Sequence, residues 1–167
     1  MRYIEAFADS GENWYYKKDY REKSVFLAGG ISNCPDWQRT AFINLSMSNF
    51  DNLVLINPRR KSFDVSDHTA SVKQIEWEYH HLKAADAILF WFPCETLCPI
   101  TLFEYGKWLT KDKPLFVGCD VKYARMQDLV IQTKMEKPSL RVHENLLSLL
   151  SDVKNWCVNH LDDGFKK

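Results

Sequence analysis

Four runs of apolar residues punctuate the chain: VFLA at Val25–Ala28, LVLI at Leu53–Ile56, AILFWF at Ala87–Phe92 and LFVG at Leu115–Gly118. Each is short, continuous rather than alternating, and bounded by polar or turn-forming residues. Strands that read this way are covered on both faces, so the pattern predicts a parallel sheet flanked by helices. Tyr3–Phe7 adds a fifth strand, and Leu140–Val142 is a candidate for a further short one. The intervening segments predict helices over Asp36–Ser48, Ser71–Ala85, Ile100–Thr110, Lys122–Lys134 and His143–His160. Strands alternating with helices imply a single α/β domain built on a five-stranded parallel sheet in a three-layer sandwich.

Within Ser71–Ala85, 100° per residue gathers Val72, Ile75, Tyr79, Leu82 and Ala85 on one face, predicted to be the buried one. Glu78 falls at the edge of that arc, between Ile75 and Leu82, and Glu76 falls well outside it. His80 and His81 lie still farther round and read as surface residues. Two polar segments, Trp14–Lys23 and Lys61–Thr69, read as a flap and a covering loop.

Composition narrows the function classes. With 46% apolar and 14% aromatic residues in 167, the chain has the material for one packed core. Lys+Arg and Asp+Glu balance at 22 each, so no global field recruits nucleic acid. No run approaches the ~18 apolar residues of a membrane span. Met1–Asp9 lacks the long apolar core of a signal peptide. Five scattered cysteines do not form a secreted disulfide framework, and a reducing cytosol is the expected setting. Cys94 and Cys98 lack a second ligand pair at zinc spacing and read as ordinary thiols, so no metal is expected.

The candidate chemistry gathers in loops at the carboxyl ends of strands, where open parallel sheets bind ligands. Gly29 and Gly30 let a backbone approach a ligand closely, and the following helix aims its amides at the same point. The run has neither a dinucleotide fingerprint nor a Walker loop, and a plain strand-to-helix turn is the competing reading. Asp36 suits a helix cap, while Trp37 suits packing or a base-stacking wall, as does Trp91. Asn57, Arg59 and Arg60 follow another strand, where arginines bind phosphate, pair with acidic groups lining the pocket, or are solvated. Asp86 reads first as a helix-terminating residue ahead of AILFWF, and second as a site residue. Glu104 is expected in the first turn or so of its helix, where the dipole keeps a carboxylate ionised. Glu78 and Glu104 together are the more specific signal, because paired carboxylates suit glycosidic chemistry.

VFLAGGI with DWQ, LINPRR, QIEWEYHHLKAADAILFW, ITLFEYGKW and KPLFVGCDVKYARMQDLVIQ occur in one order over Val25–Gln132. This ordered set resembles the nucleoside 2-deoxyribosyltransferase superfamily, in particular its nucleoside 2-deoxyribosyltransferase-like branch. The resemblance implies a Rossmann-like, flavodoxin-like fold and cleavage of the N-glycosidic bond of a nucleoside or nucleotide, with no cofactor. It implies that Glu104 is the nucleophile, that Glu78 binds sugar hydroxyls, and that Gly29, Gly30 and Ile31 line the sugar or phosphate site. It further implies a homo-oligomer whose sites are completed across an interface.

The sequence also departs from the family pattern. The Ser and Arg of the monophosphate hydrolases are not both present after Gly30, with Arg59, Arg60 or Arg125 as substitutes. Leu102 and Phe103 stand where small glycines precede the nucleophile, and Cys98 stands at the aspartate of the transferases. The expected function is therefore N-glycosidic cleavage or 2-deoxyribosyl transfer. The alternatives are a non-catalytic nucleotide-binding module and an NAD-type glycohydrolase.

Overall fold

The computed structural model describes residues 1–7, 19–60 and 69–159. The chain runs β1 (Arg2–Glu5), β2 (Lys23–Gly29), α1 (Trp37–Ser46), β3 (Leu53–Asn57), α2 (Ala70–Ala84), β4 (Ala87–Phe92), α3 (Pro99–Leu109), β5 (Leu115–Cys119), α4 (Met126–Glu136), β6 (Val142–His143) and α5 (Leu146–Asn159). The first half of the flap expected at Trp14–Lys23 lies outside the described residues, as does nearly all of the loop Lys61–Thr69. The sheet has six strands, not five, because the two residues of β6 extend it at one edge.

All strand pairs are parallel, in the order β1-β3-β2-β4-β5-β6. Without β1 this is the flavodoxin-like order, and its direction of growth reverses between β2 and β4. Gly29 of β2 lies in register with Trp91 of β4 at that switch. In open parallel sheets this switch point at the carboxyl edge is where a ligand-binding crevice is expected.

Successive strand residues point to opposite helical layers. Val25, Leu27, Leu55 and Leu89 pack under α1 and α5, whereas Phe26, Ile56, Ile88 and Phe90 pack under α2, α3 and α4. Every one of these eight is essentially fully buried. This is the physical meaning of the unbroken apolar runs: each strand needs apolar side chains in both phases of the pleat.

Helix α2 is rotated from the expected face by roughly 100°, one residue's turn. Its buried residues are Ala70, Trp77, His81 and Leu82, while Val72, Ile75 and Tyr79 are 54%, 64% and 44% exposed. Trp77 takes the inward position because its ring fills the most volume, lying 6.2 Å from Phe26 and 6.3 Å from Phe7. His81 follows it inside, contrary to the surface expectation. It stacks on Trp77 at 3.9 Å with Nδ1 2.7 Å from the Trp77 carbonyl. Lys113 closes the far end of α2 by donating to the carbonyls of Leu82, Lys83 and Ala85.

Two helix starts differ from expectation for local reasons. Asp120–Tyr123 forms a turn, with Lys122 N donating to Asp120 Oδ1, so α4 begins only at Met126. His143 belongs to β6, and Asn145 accepts from Ser148 N to open α5. No described helix is long and apolar enough to cross a membrane.

Candidate active site

Helix α2 descends from the end of β3 and α3 from the end of β4, side by side on one face of the sheet. Glu78 is the ninth residue of α2 and Glu104 the sixth of α3. Both are partly buried. Burial, reinforced by the negative charge of Glu78, pushes Glu104 up to about 8, against a smaller opposing pull from Lys107. The two carboxylates, 26 positions apart in sequence, thus share one electrostatic environment.

That outcome overturns one expectation about Glu104. It lies beyond the first turn of α3, which holds no acidic residue, and the dipole effect has faded there. Desolvation wins, and in the free protein Glu104 holds its proton at neutral pH. The charge of Glu78 adds to the rise, because two ionised carboxylates within electrostatic reach repel.

At Glu78 the influences oppose one another, with burial the largest. Burial raises its pKa as well, but a hydrogen bond from Gln74 and the positive charge of Arg60 counteract that rise. Gln74 Nε2 lies 2.6 Å from Glu78 Oε1 and 2.9 Å from the Pro58 carbonyl. Its Oε1 accepts from Arg60 Nε. Arg60 in turn donates to the Ala70 carbonyl at 2.8 Å and lies 4.0 Å over the ring of Phe7. Arg60 is half-buried and engaged with the β3–α2 connection. It supports the acidic pair from the β3–α2 connection.

The glycine loop does something other than expected. Neither Gly29 nor Gly30 adopts a positive φ. A Cβ on Gly29 would meet the Trp91 carbonyl at 2.3 Å and the Trp37 ring at 2.5 Å. One on Gly30 would meet Pro93 at 2.6 Å and Thr96 at 2.9 Å. The space before these glycines is filled by the protein itself. The Gly30 carbonyl accepts from Trp37 Nε1 at 2.9 Å, Gln38 Nε2 at 3.2 Å and Arg59 Nη2 at 3.4 Å.

Arg59 is a strut of the same loop, bonded to Gln38 and the Pro35 carbonyl and ion-paired with Asp36 at 3.4 Å. Asp36 caps α1 by accepting from Arg39 N at 2.9 Å. Asn57 is buried, donating to Tyr3 Oη at 2.7 Å and accepting from Arg59 N. Trp37 and Trp91 are core residues, 4% and 7% exposed, and offer no ring to a base. Ile31 is half-buried just beyond the loop.

Asp86 lies at the opposite edge of the sheet from the crevice. It precedes β4 and accepts from Ser24 N at 2.8 Å and Ser24 Oγ at 2.9 Å, at the amino-terminal ends of the strands. This corrects its candidacy as a substrate-binding residue, because a strand's length separates it from the carboxyl edge. Arg125, a candidate phosphate partner, pairs with Asp128 at 3.6 Å instead. It lines an α3–α4 groove of about 320 Å³ with Leu102, Tyr105 and Leu129. Helical phase sets that groove on the flank of α3 away from Glu104.

The site residues missed by sequence reasoning are Gln74 and Lys107. Gln74 stands one helical turn before Glu78, so i,i+4 pairing was the available signal. Among the described residues, no cluster of three or more His, Cys, Asp or Glu side chains is arranged to hold a metal ion. Cys98, the left-handed residue that opens α3 (φ 49°), has its thiol pushed up to about 12 by burial, so it is not a reactive thiolate.

Residues 22–123, more than half of the chain, match the family model described as nucleoside 2-deoxyribosyltransferase like. The match spans β2 through the turn after β5 and includes both carboxylates. No curated protein matches the chain.

Proposed function

From the premise that this chain belongs to the nucleoside 2-deoxyribosyltransferase-like family, we propose that it cleaves the N-glycosidic bond of a nucleoside or nucleotide, Glu104 attacking C1′. What supports this reading is that α2 and α3, in contact through Lys107 and the Tyr79 ring at 4.8 Å, bring two half-buried carboxylates within electrostatic reach of each other. An isolated surface glutamate would feel neither the burial nor the second charge.

The reacting form has Glu104 ionised. Its oxygen forms a bond to C1′ as the C1′–N bond breaks through an oxocarbenium-like transition state. The base departs with the bonding electron pair and takes up a proton. Glu78 accepts hydrogen bonds from the sugar hydroxyls and handles proton movement. Water or a second base then attacks C1′ and returns the glutamate as carboxylate. Water makes the reaction a hydrolysis, and a base makes it a transfer.

An apolar stripe beside the carboxylates supports a homo-oligomer. Ile75 and Tyr79 of α2, with Ile100 and Phe103 of α3, are 44–73% exposed, more apolar side chain than one crevice rim requires. Five free thiols fit a reducing compartment such as the cytoplasm.

The test is incubation with deoxynucleosides, their 5′-monophosphates and an NAD-type dinucleotide, followed by chromatography for free base. Release from a deoxynucleoside or its monophosphate, reduced at least ~10³-fold in Glu104→Ala, is expected. Release unaffected by that substitution overturns the assignment of Glu104. Binding without release from any compound identifies a non-catalytic nucleotide-binding module.

A further inference from the structure

Gln74 has no freedom in the orientation of its amide. Its Nε2 faces two acceptors, Glu78 Oε1 at 2.6 Å and the Pro58 carbonyl at 2.9 Å, while its Oε1 faces the Arg60 Nε–H. Flipping the amide would set oxygen against a carboxylate and a carbonyl, and nitrogen against a donor. The connection between β3 and α2, carrying Pro58 and Arg60, thereby presents one N–H to one carboxylate oxygen. Gln74 itself sits one helical turn before Glu78, on the same flank of α2.

We infer that Gln74, oriented by Arg60, is a positioning residue that makes Glu78 the ionised member of the acidic pair and leaves the proton on Glu104. The inference rests on the proposed glycosidic reading for its functional meaning but not for its physical content. The charged groups facing the pair come from three elements. Arg60 reaches Glu78 from the β3–α2 connection, Glu78 itself lies on α2, and Glu104 and Lys107 lie on α3. Of these, Arg60 favours ionisation of Glu78, Lys107 favours that of Glu104, and the charge of Glu78 opposes ionisation of Glu104.

This arrangement has a consequence for the reaction. A proton kept on Glu104 holds the nucleophile in reserve until the sugar enters. Hydroxyls donating to Glu78 then spread its negative charge, weaken its repulsion of Glu104, and ease the loss of the Glu104 proton. Without the Gln74 donor, Glu78 would compete for the same proton, and the two carboxyls would become more nearly equivalent.

The experiment follows the carboxyl carbons of Glu78 and Glu104 by carbon-13 NMR titration in the full chain, in parallel with a kcat/KM pH profile. In Gln74→Leu, which keeps volume and removes the donor, the Glu78 titration should move up and that of Glu104 down, each by about one pH unit. The ascending limb of the profile should follow Glu104. Arg60→Met leaves Gln74 in place without its orienting N–H, and should produce the same shifts in smaller measure. It also serves if Gln74→Leu fails to fold, as judged by circular dichroism.

Titrations of Glu78 and Glu104 that stay at their wild-type midpoints in the folded variants overturn the inference. If the titrations move but the wild-type protein releases no base, the glycosidic reading fails and the positioning role stands. If base release depends on Glu104 but the titrations do not move, only the role of Gln74 fails.

Discussion

Glu104 shows how little a residue's sequence position says about its protonation. Near a helix start it reads as a dipole-stabilised anion, yet burial and Glu78 hold it up to about 8. Under the proposed mechanism only the ionised form attacks, so kcat/KM should rise with pH and level off above about 8. Glu78→Gln removes the neighbouring charge and should shift that rise to lower pH, even while it lowers the maximal rate. A limb in the same place in wild type and Glu78→Gln would mean that another group governs it.

The same pair sets a stability trend. Ionised Glu104 is less well accommodated in the folded chain than in the unfolded one, because its folded pKa is raised from 4.5 to about 8. Folding stability should therefore fall as pH climbs through that window, and level off once Glu104 is ionised in both states. Glu104→Gln should flatten the fall, with urea midpoints either side of the window as the measurement. Equal pH dependence in the two proteins would contradict the raised pKa.

At the scale of elements, the decisive packing choices involve large rings and absent side chains. Helix α2 follows Trp77 and not its aliphatic residues, so Trp77→Ala should cost about 3–5 kcal/mol through the cavity it leaves. Ile75→Ser, on the exposed face, should leave monomer stability within about 0.5 kcal/mol while weakening the self-association proposed for that face. Denaturant unfolding and sedimentation velocity separate the two effects, and a destabilised Ile75→Ser would show that the helix phase is wrong. At the switch point, Gly29→Ala places a methyl 2.3 Å from the Trp91 carbonyl, a backbone atom that cannot swing aside. A loss of about 2 kcal/mol or more is expected from the forced shift. An unchanged urea midpoint would place the Gly29 backbone elsewhere.

For the whole molecule, the unbroken runs VFLA, LVLI, AILFWF and LFVG were sufficient to announce a parallel sheet with two helical layers. Continuous apolarity reports burial of both faces directly, without reference to any partner. β6 was harder to delimit, because two residues carry almost no pattern. The phase of α2 misled because Trp77 and His81 are ambivalent in a hydropathy pattern, while Val72, Ile75 and Tyr79 are plainly apolar yet face outward.

Motif order singled out the two glutamates, while the helix phase first used to place Glu78 did not hold, and their electrostatic coupling emerged only from the fold. The loops were legible only as loops. Glycines and arginines at strand ends look alike whether they hold a ligand or one another. Here Arg59 braces Gly30, Arg60 braces Gln74, and Asp86 holds Ser24 at the far edge. The linear chain determined its layers, because burial of a strand on both faces is a local property of residue order. Which polar groups are spent on one another was decided only by tertiary contact. Hydrogen bonds and charge repulsion depend on distances that residue order does not contain.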